Sequence, residues 1–441
     1  MNRLSGWGRL AVPGREILSE DLERITRDVP LSRGLGRSYG DSSLPPPDRP
    51  RVAGSRLADR ILGFDPESGL LRAEAGFSLY ELNRLFLPRG WSSPVLTGTQ
   101  YVTLGGMVAA DVHGKNHHVD GTFGAHVERL RLRLADGRVL WASRGEEPDL
   151  FRATLGGMGL TGHVLEVEVR LQRIPSPWVW VESERVDDLD ALLAGLASAA
   201  RDWPLTMGWI DCLTRGRHMG RGILFRGRWA QPGEAPAAPP APKRRLRVPF
   251  DFPGWALNPL SMRLFNAGYY WKQVPRHKAG VSHPEPFFHP LDAVLDWNRI
   301  YGRRGFTQHQ SVIPEESGAA GVRRFLDLLT RLGAASFLCV IKDCGKEGEG
   351  LLSFPMPGIS IALDVPVRRD TPGVVARLNE RVIEEGGRVY LAKDAFTTAE
   401  HFRAMEPRLD GWLAVKRRYD PEGCLRSAQS ERLFGGAGGP K

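Results

Sequence analysis

Three glycine-rich stretches set the narrowest limit on what this chain can fold into. They read Arg33-Gly-Leu-Gly-Arg-Ser-Tyr-Gly-Asp41, Thr97-Gly-Thr-Gln-Tyr-Val-Thr-Leu-Gly-Gly106 and Leu155-Gly-Gly-Met-Gly-Leu-Thr-Gly162. Gly157 to Gly162 matches the GxGxxG spacing of a dinucleotide-binding turn. That turn needs a strand before the glycines and a helix after them, so that a pyrophosphate meets the helix N-terminus. Here the order is reversed: Glu147 to Ala153 reads as helix, and an alternating strand follows Gly162. The first stretch is spaced GxGxxxG and runs into Asp41-Ser-Ser-Leu-Pro-Pro-Pro, where no helix can start. A Rossmann fold is therefore excluded. Backbone N–H groups in such loops still approach phosphate closely and form anion-binding nests. Together, the three loops read as a phosphate cradle of another kind.

The surrounding pattern is mixed. Ser78-Leu-Tyr-Glu81 is a capping box, after which Leu79, Leu82 and Leu85 recur at helical spacing until Pro88-Arg-Gly90. Thr97 to Gly124 has too little apolar periodicity for a long helix. Arg129 to Leu134 alternates basic and apolar residues, and Asp136-Gly137 turns it into Val139 to Trp141 as a hairpin. Leu165, Val167, Val169 and Leu171 alternate with Glu166, Glu168 and Arg170, which predicts a half-buried strand. Past Pro175 come a strand at Trp178 to Glu182 and a helix at Leu189 to Ala200. Short helices among antiparallel strands give an α+β class. The Pro/Ala stretch 232–242 cannot pack and opens an expected mobile segment, 232–249. It leads into Lys243, Arg244, Arg245 and Arg247, then Phe250, Phe252, Trp255, Phe265, Tyr269, Tyr270 and Trp271.

At 441 residues the chain exceeds one ordinary core and suits two domains. A net charge of +9 favours anionic partners. The basic residues are spread along the chain with no concentrated basic face, which argues against nucleic acid. The four cysteines, Cys212, Cys339, Cys344 and Cys424, form no CxxC pattern and read as reduced and structural. His117 and His118 are adjacent in a loop, and such a pair rarely reaches one metal without carboxylate or cysteine partners, so no metal site is expected. The N-terminus lacks a signal-peptide apolar run, and no stretch reaches the roughly 18 apolar residues of a span. A cytoplasmic protein that meets any membrane peripherally is the expectation.

The stretches RGLGRSYGD (33–41), TGTQYVTLGGMVAADVHGKNHH (97–118) and LGGMGLTG (155–162) resemble the three FAD loops of the vanillyl-alcohol-oxidase, or PCMH-type, flavoproteins. With RGFTQHQSVIP (304–314), YLAKD (390–394) and AVKRRYDPEGCLRS (414–427), the chain is similar more narrowly to those members that oxidise the ribose of a polyprenyl-phosphoryl ribose. The resemblance implies a two-domain fold: an FAD-binding domain over 1–175, an antiparallel-sheet substrate domain over 176–387, and a return to the FAD domain over 388–441. It assigns FAD to Arg33, Gly34, Leu35, Gly36, Arg37, Ser38, Tyr39, Gly40 and Asp41 of the first loop. The second loop would add Gly98, Thr99, Thr103, Gly105, Gly106, Ala110, His113 and Gly114, and the third Gly157, Gly162 and Val164, with Tyr390 beside them. Related oxidases link flavin covalently through a histidine where this chain has Arg37, so the FAD is expected to be non-covalent.

Oxidising a secondary alcohol requires a hydride acceptor and a base for the hydroxyl proton. The resemblance puts Lys393 there, as base or as cationic partner of reduced flavin, and His113 against the flavin ring or tying its loop. Tyr39, Lys115, Gln308, Gln310, Lys342 and Lys393 would meet the substrate, with Gln308 and Gln310 on one strand face and Lys342 toward its phosphate. The implied reaction takes the 2-hydroxyl of the ribose to the 2-keto sugar. A separate NAD(P)H-dependent short-chain reductase would then return it as arabinose, for a cell-wall arabinan precursor. The runner-up is an alditol or sugar-lactone oxidase using oxygen, whose covalent histidine and C-terminal HW signature this chain lacks. Lys243 to Trp271 is the expected contact with an anionic membrane.

Overall fold

The computed structural model describes residues 3–333 and 337–435; the chain ends that the ranges 1–175 and 388–441 include lie outside the described residues. In the N-terminal part, Arg15–Leu18, Arg51–Gly54 and Ser32–Arg33 form a small parallel sheet with Arg51–Gly54 central. Beside it stands a five-stranded antiparallel sheet in the order Val139–Ser143, Val127–Arg133, His163–Arg170, Leu70–Glu74, Ile61–Asp65. The hairpin turns where its sequence predicts, pairing Arg133 with Val139. The helix Leu79–Phe86 starts at Ser78, whose hydroxyl accepts from the Glu81 N–H at 3.2 Å. The reciprocal half of the capping box is absent, because the Glu81 carboxylate turns to Arg84.

The strand His163–Arg170 corrects the expectation of half burial: both of its faces are buried up to Val169. Glu166 accepts from Arg72 at 2.8 Å and from Arg131 at 3.0 Å, and Glu168 from Arg129 at 2.6 Å. The guanidinium groups of Arg72 and Arg129 lie over the Trp141 ring. Alternating glutamates looked solvent-facing, but arginines on the flanking strands cover them with charge-assisted bonds.

The second part is an eight-stranded antiparallel sheet. Its order is His277–Ser282, Val179–Val186, Gly222–Trp229, Leu205–Ile210, Cys339–Cys344, Gly358–Pro366, Phe306–Pro314, Arg388–Val389. Helices Leu189–Asp202, Gly318–Arg331 and Thr371–Glu384 cover one face, burying Leu192, Leu196, Phe325, Leu329, Leu378 and Val382 on Ile210, Ile341, Ile361 and Leu363. Each such side chain contributes about 1.5–3 kcal/mol. Helix Pro259–Trp271 packs Tyr270 on Trp209 and Ile223, on the alternate side chains of the same strands. After the edge strand Arg388–Val389 the chain crosses to the N-terminal part, where Trp412 is fully buried and donates to the Ala153 carbonyl at 2.9 Å.

The stretch 232–242 forms no helix or strand, yet it does make packing contacts, contrary to expectation. Glu234 bridges both terminal nitrogens of Arg228 at 2.7 Å, and Trp178 donates to the Ala238 carbonyl at 3.0 Å.

Candidate functional site

The three glycine loops and the face of the large sheet opposite its three covering helices line a cavity of about 340 Å³. Gly34 lies so near Thr103 that a Cβ would stand 2.4 Å from its hydroxyl, which caps helix Leu104–Ala109 by accepting from the Gly106 N–H. Glycine is what lets the first and second loops touch. Gly36 has φ +63°, a left-handed conformation that favours glycine. The first loop is pinned to the C-terminal return by the Tyr39 N–H donating to the Ala392 carbonyl at 2.9 Å.

Strand register builds the opposite wall. Along Phe306–Pro314, Gln308 and Gln310 face the cavity, while His309 between them faces the helices, 3.0 Å from the Asn379 side chain. Gln308 stands directly opposite Asp364, and Gln310 opposite Ala362. Ala362 is in turn opposite Val340, and Ser360 opposite Lys342. The period of two thus delivers Gln308, Gln310, Ala362, Val340 and Lys342 to one surface.

Cations dominate this surface. Lys393 Nζ lies 3.8 Å from the centre of the Tyr39 ring, and burial lowers its pKa to about 8, with Asp364 opposing. Lys393 does not pair with Asp394, which binds Arg432 at 2.9 Å instead. Lys115 is lowered by burial to about 7, and its ammonium donates to the Phe288 carbonyl at 3.0 Å. Lys342 donates to the Gly114 carbonyl at 2.8 Å and contacts His113 Nδ1. The other nitrogen of that ring is 3.2 Å from the Gln310 amide. Burial first, then the Lys342 charge, hold His113 well below the usual histidine range. His113 is therefore a neutral ring with both nitrogens engaged, packed against Phe354 and Tyr390. Arg37 is sandwiched over Trp7 at 4.1 Å and Tyr101 at 4.9 Å, with its buried Nε lacking a partner.

Most residues singled out from the sequence meet at this cavity. Its lining includes Arg33 to Tyr39, Gly98, Thr99, Thr103, Gly105, Gly106, Ala110, His113, Gly114, Lys115, Gly162, Val164, Gln308, Gln310, Lys342, Tyr390 and Lys393. Three do not line it. Gly40 is pressed against the Asp394 carbonyl, Asp41 forms an ion pair with Arg432 at 2.7 Å, and Gly157 abuts the Ala153 carbonyl. These three positions pack against other segments of the chain and do not line the cavity. His118 binds Asp343 at 2.9 Å and His117 accepts from the Gly345 N–H. Sequence reading missed Trp7, Leu291 and Trp297, an apolar collar on the same cavity. No motif surrounds them, and they converge only through tertiary packing. It also missed Asp364, which register against Gln308 reveals.

The site suits a ligand bearing phosphates: glycine backbone on one side, the unpartnered Arg37 nitrogen, and a Cβ-free position at Gly98 with nothing within 4 Å. An FAD binding domain family matches residues 27–143, which contain the first two loops. A decaprenylphosphoryl-β-D-ribose oxidase of Mycolicibacterium smegmatis is 35% identical, over 98% of this chain and 97% of its own. An uncharacterised protein of Streptomyces coelicolor is 32% identical over 81% of this chain and 99% of its own. A Neurospora crassa protein named as a D-arabinono-1,4-lactone oxidase is 31% identical, over 25% of this chain and 19% of its own.

Proposed function

The chain belongs to the decaprenylphosphoryl-β-D-ribose oxidase family of FAD-dependent oxidoreductases, and from that premise we propose that it oxidises the 2-hydroxyl of a polyprenyl-phosphoryl ribose to the 2-keto sugar. One observation carries the reading: the buried Lys393 and the Gln308–Gln310 row share a single cavity with the glycine loops. The lactone-oxidase likeness is confined to a quarter of the chain.

Bound FAD supplies the two-electron acceptor for the hydride at C2. Lys393, with its pKa near 8, takes the hydroxyl proton, and the Tyr39 ring face then stabilises the ammonium. Gln308 and Gln310 orient the sugar hydroxyls. His113, held by Lys342 and Gln310, keeps the second loop in place beside the reacting groups. The Lys342 ammonium is engaged, so it offers a phosphate its field rather than free reach. Arg37 cannot form a histidyl–flavin bond, which supports non-covalent FAD.

We also propose that the protein works on the cytoplasmic side of an anionic membrane, and that a separate NAD(P)H-dependent short-chain reductase converts the keto sugar to arabinose. Exposed Leu246, Phe250, Trp255, Leu260, Leu264, Phe265, Trp271 and Val274 support the membrane reading. The test of the reaction is anaerobic incubation with polyprenyl-phosphoryl pentoses. Ribose derivatives should bleach the flavin absorbance; bleaching only by free alditols or lactones would overturn the assignment.

A further inference from the structure

Asp364 has no part in the reaction outlined above, yet it is a fully buried charged group beside the cavity, with 0% exposure. Its two oxygens are used separately. Oδ2 accepts from the Tyr301 hydroxyl at 2.8 Å, and Oδ1 accepts from Gln308 Nε2 at 2.6 Å. Tyr301 stacks on Phe306 at 4.1 Å, so the carboxylate rests on a rigid aromatic floor that also carries Tyr39.

We propose that Asp364 is a positioning residue that fixes the Gln308 amide with its carbonyl oxygen toward the sugar and acts as the buried counter-charge of Lys393. A carboxylate can only accept, so the NH₂ end of Gln308 must face it. The other end of the amide, an acceptor, is left for the cavity that Gln308 lines. A wall presenting an acceptor selects a hydroxyl donor. The donor it takes is a sugar hydroxyl beside the reacting one, whose own single proton goes to Lys393. The orientation of the bound sugar is thereby written into the strand register that sets Gln308 opposite Asp364.

The second role follows from charge. Lys393 lies over the Tyr39 ring of the first loop, in a cavity shared with His113 of the second and with Gln308, the side chain bonded to Asp364 on the sheet. Tyr39 is held protonated by burial and His113 is neutral, so Asp364 is the anion that opposes the burial of this ammonium. Asp364 in turn faces Tyr301, Gln308, Tyr39 and Cys339, and burial raises its own pKa to about 6. Above that pH it is charged across the range in which Lys393 titrates.

The inference rests on reading this cavity as the sugar-oxidising site, and its test has one arm that needs no substrate. In the FAD-loaded full chain, trace amine labelling against pH, read by mass spectrometry, gives the apparent pKa of Lys393. Asp364→Asn should lower it by about one unit, whereas Tyr301→Phe, which leaves the charge in place, should not. An unmoved Lys393 in Asp364→Asn, or an equal shift in both variants, overturns the counter-charge. In the second arm, Asp364→Asn and Gln308→Leu should each raise KM for polyprenyl-phosphoryl ribose about tenfold, roughly one hydrogen bond, and the double variant no further. Additive effects overturn positioning through Gln308. Should Asp364→Asn fail to fold, Gln308→Leu alone must raise KM without moving Lys393, and a moved lysine counts against the proposal. If wild type bleaches with no ribose derivative, the reaction assignment fails while the labelling arm still decides the role of Asp364.

Discussion

At the scale of single residues the chemistry turns on the protonation of Lys393. A lysine brought by burial to about 8 is largely cationic at neutral pH and neutral above. A base must be neutral to accept a proton, so flavin reduction by substrate should rise with pH through about 8 and then level. A rate that falls over the same interval would instead make Lys393 a cationic partner. Lys393→Ala should retain its FAD and lose about 10²–10⁴-fold in that rate. His113→Ala should show a smaller rate loss with partial FAD loss, read as flavin per chain, because its ring ties Lys342 and Gln310 to the second loop. Arg37 gives the simplest check: acid precipitation should leave all flavin in the supernatant, and flavin retained on the denatured chain would refute non-covalent binding.

Among the elements, helix Pro259–Trp271 presents two unlike stripes. Met262, Asn266 and Tyr270 are buried, while Leu260, Leu264 and Trp271 are exposed, and Trp255 just before it is 76% exposed. Water-facing leucines at positions i and i+4 do not stabilise the fold; an apolar partner such as a bilayer interface would. The basic run ahead of the helix contributes less than its sequence suggests. Arg245 pairs with Glu285 at 2.9 Å and Arg247 with Asp296 at 3.4 Å. Lys243 and Arg244 have no ion-pair partner among the described residues, and exposed Arg263 and Lys272 join them. Each is worth about 1 kcal/mol near an anionic surface. Vesicle co-sedimentation should therefore rise with anionic lipid and fall with salt. Leu260→Ser with Leu264→Ser should weaken it, and neutralising Lys243 and Arg244 should weaken it further. Sedimentation unchanged in the combined variant would remove this helix from any membrane contact.

For the whole molecule, the cavity has walls from three distant parts of the chain: the glycine loops, the large sheet and the return through Tyr390 and Lys393. A ligand spanning such walls binds the native state and not the unfolded one. At FAD concentrations one hundred times Kd it should add roughly 2.7 kcal/mol of stability. Stripped and reconstituted protein should differ accordingly in Tm, and equal values would mean that FAD does not bridge these parts.

Local chemistry was legible along the chain wherever one segment supplies both signal and structure. Asp136-Gly137 makes its hairpin, Ser78 caps its helix, and the glycine loops mark the cavity because a φ of +63° or a 2.4 Å approach admits no side chain. The α+β class followed from the same periodicities, and Lys393, Gln308 and Gln310 from the family resemblance that YLAKD and RGFTQHQSVIP carry. Partners that come from other strands were not legible. The arginines over Glu166 and Glu168, the Glu285 that takes Arg245, and the collar of Trp7, Leu291 and Trp297 depend on register and on packing between segments far apart in the chain. Gly40, Asp41 and Gly157 share the motif letters of their neighbours, yet they face Asp394, Arg432 and Ala153 instead. A sequence states which groups a segment carries; whether each meets solvent, a ligand or another side chain is decided only when the sheet aligns Gln308 with Asp364 and closes the loops above them.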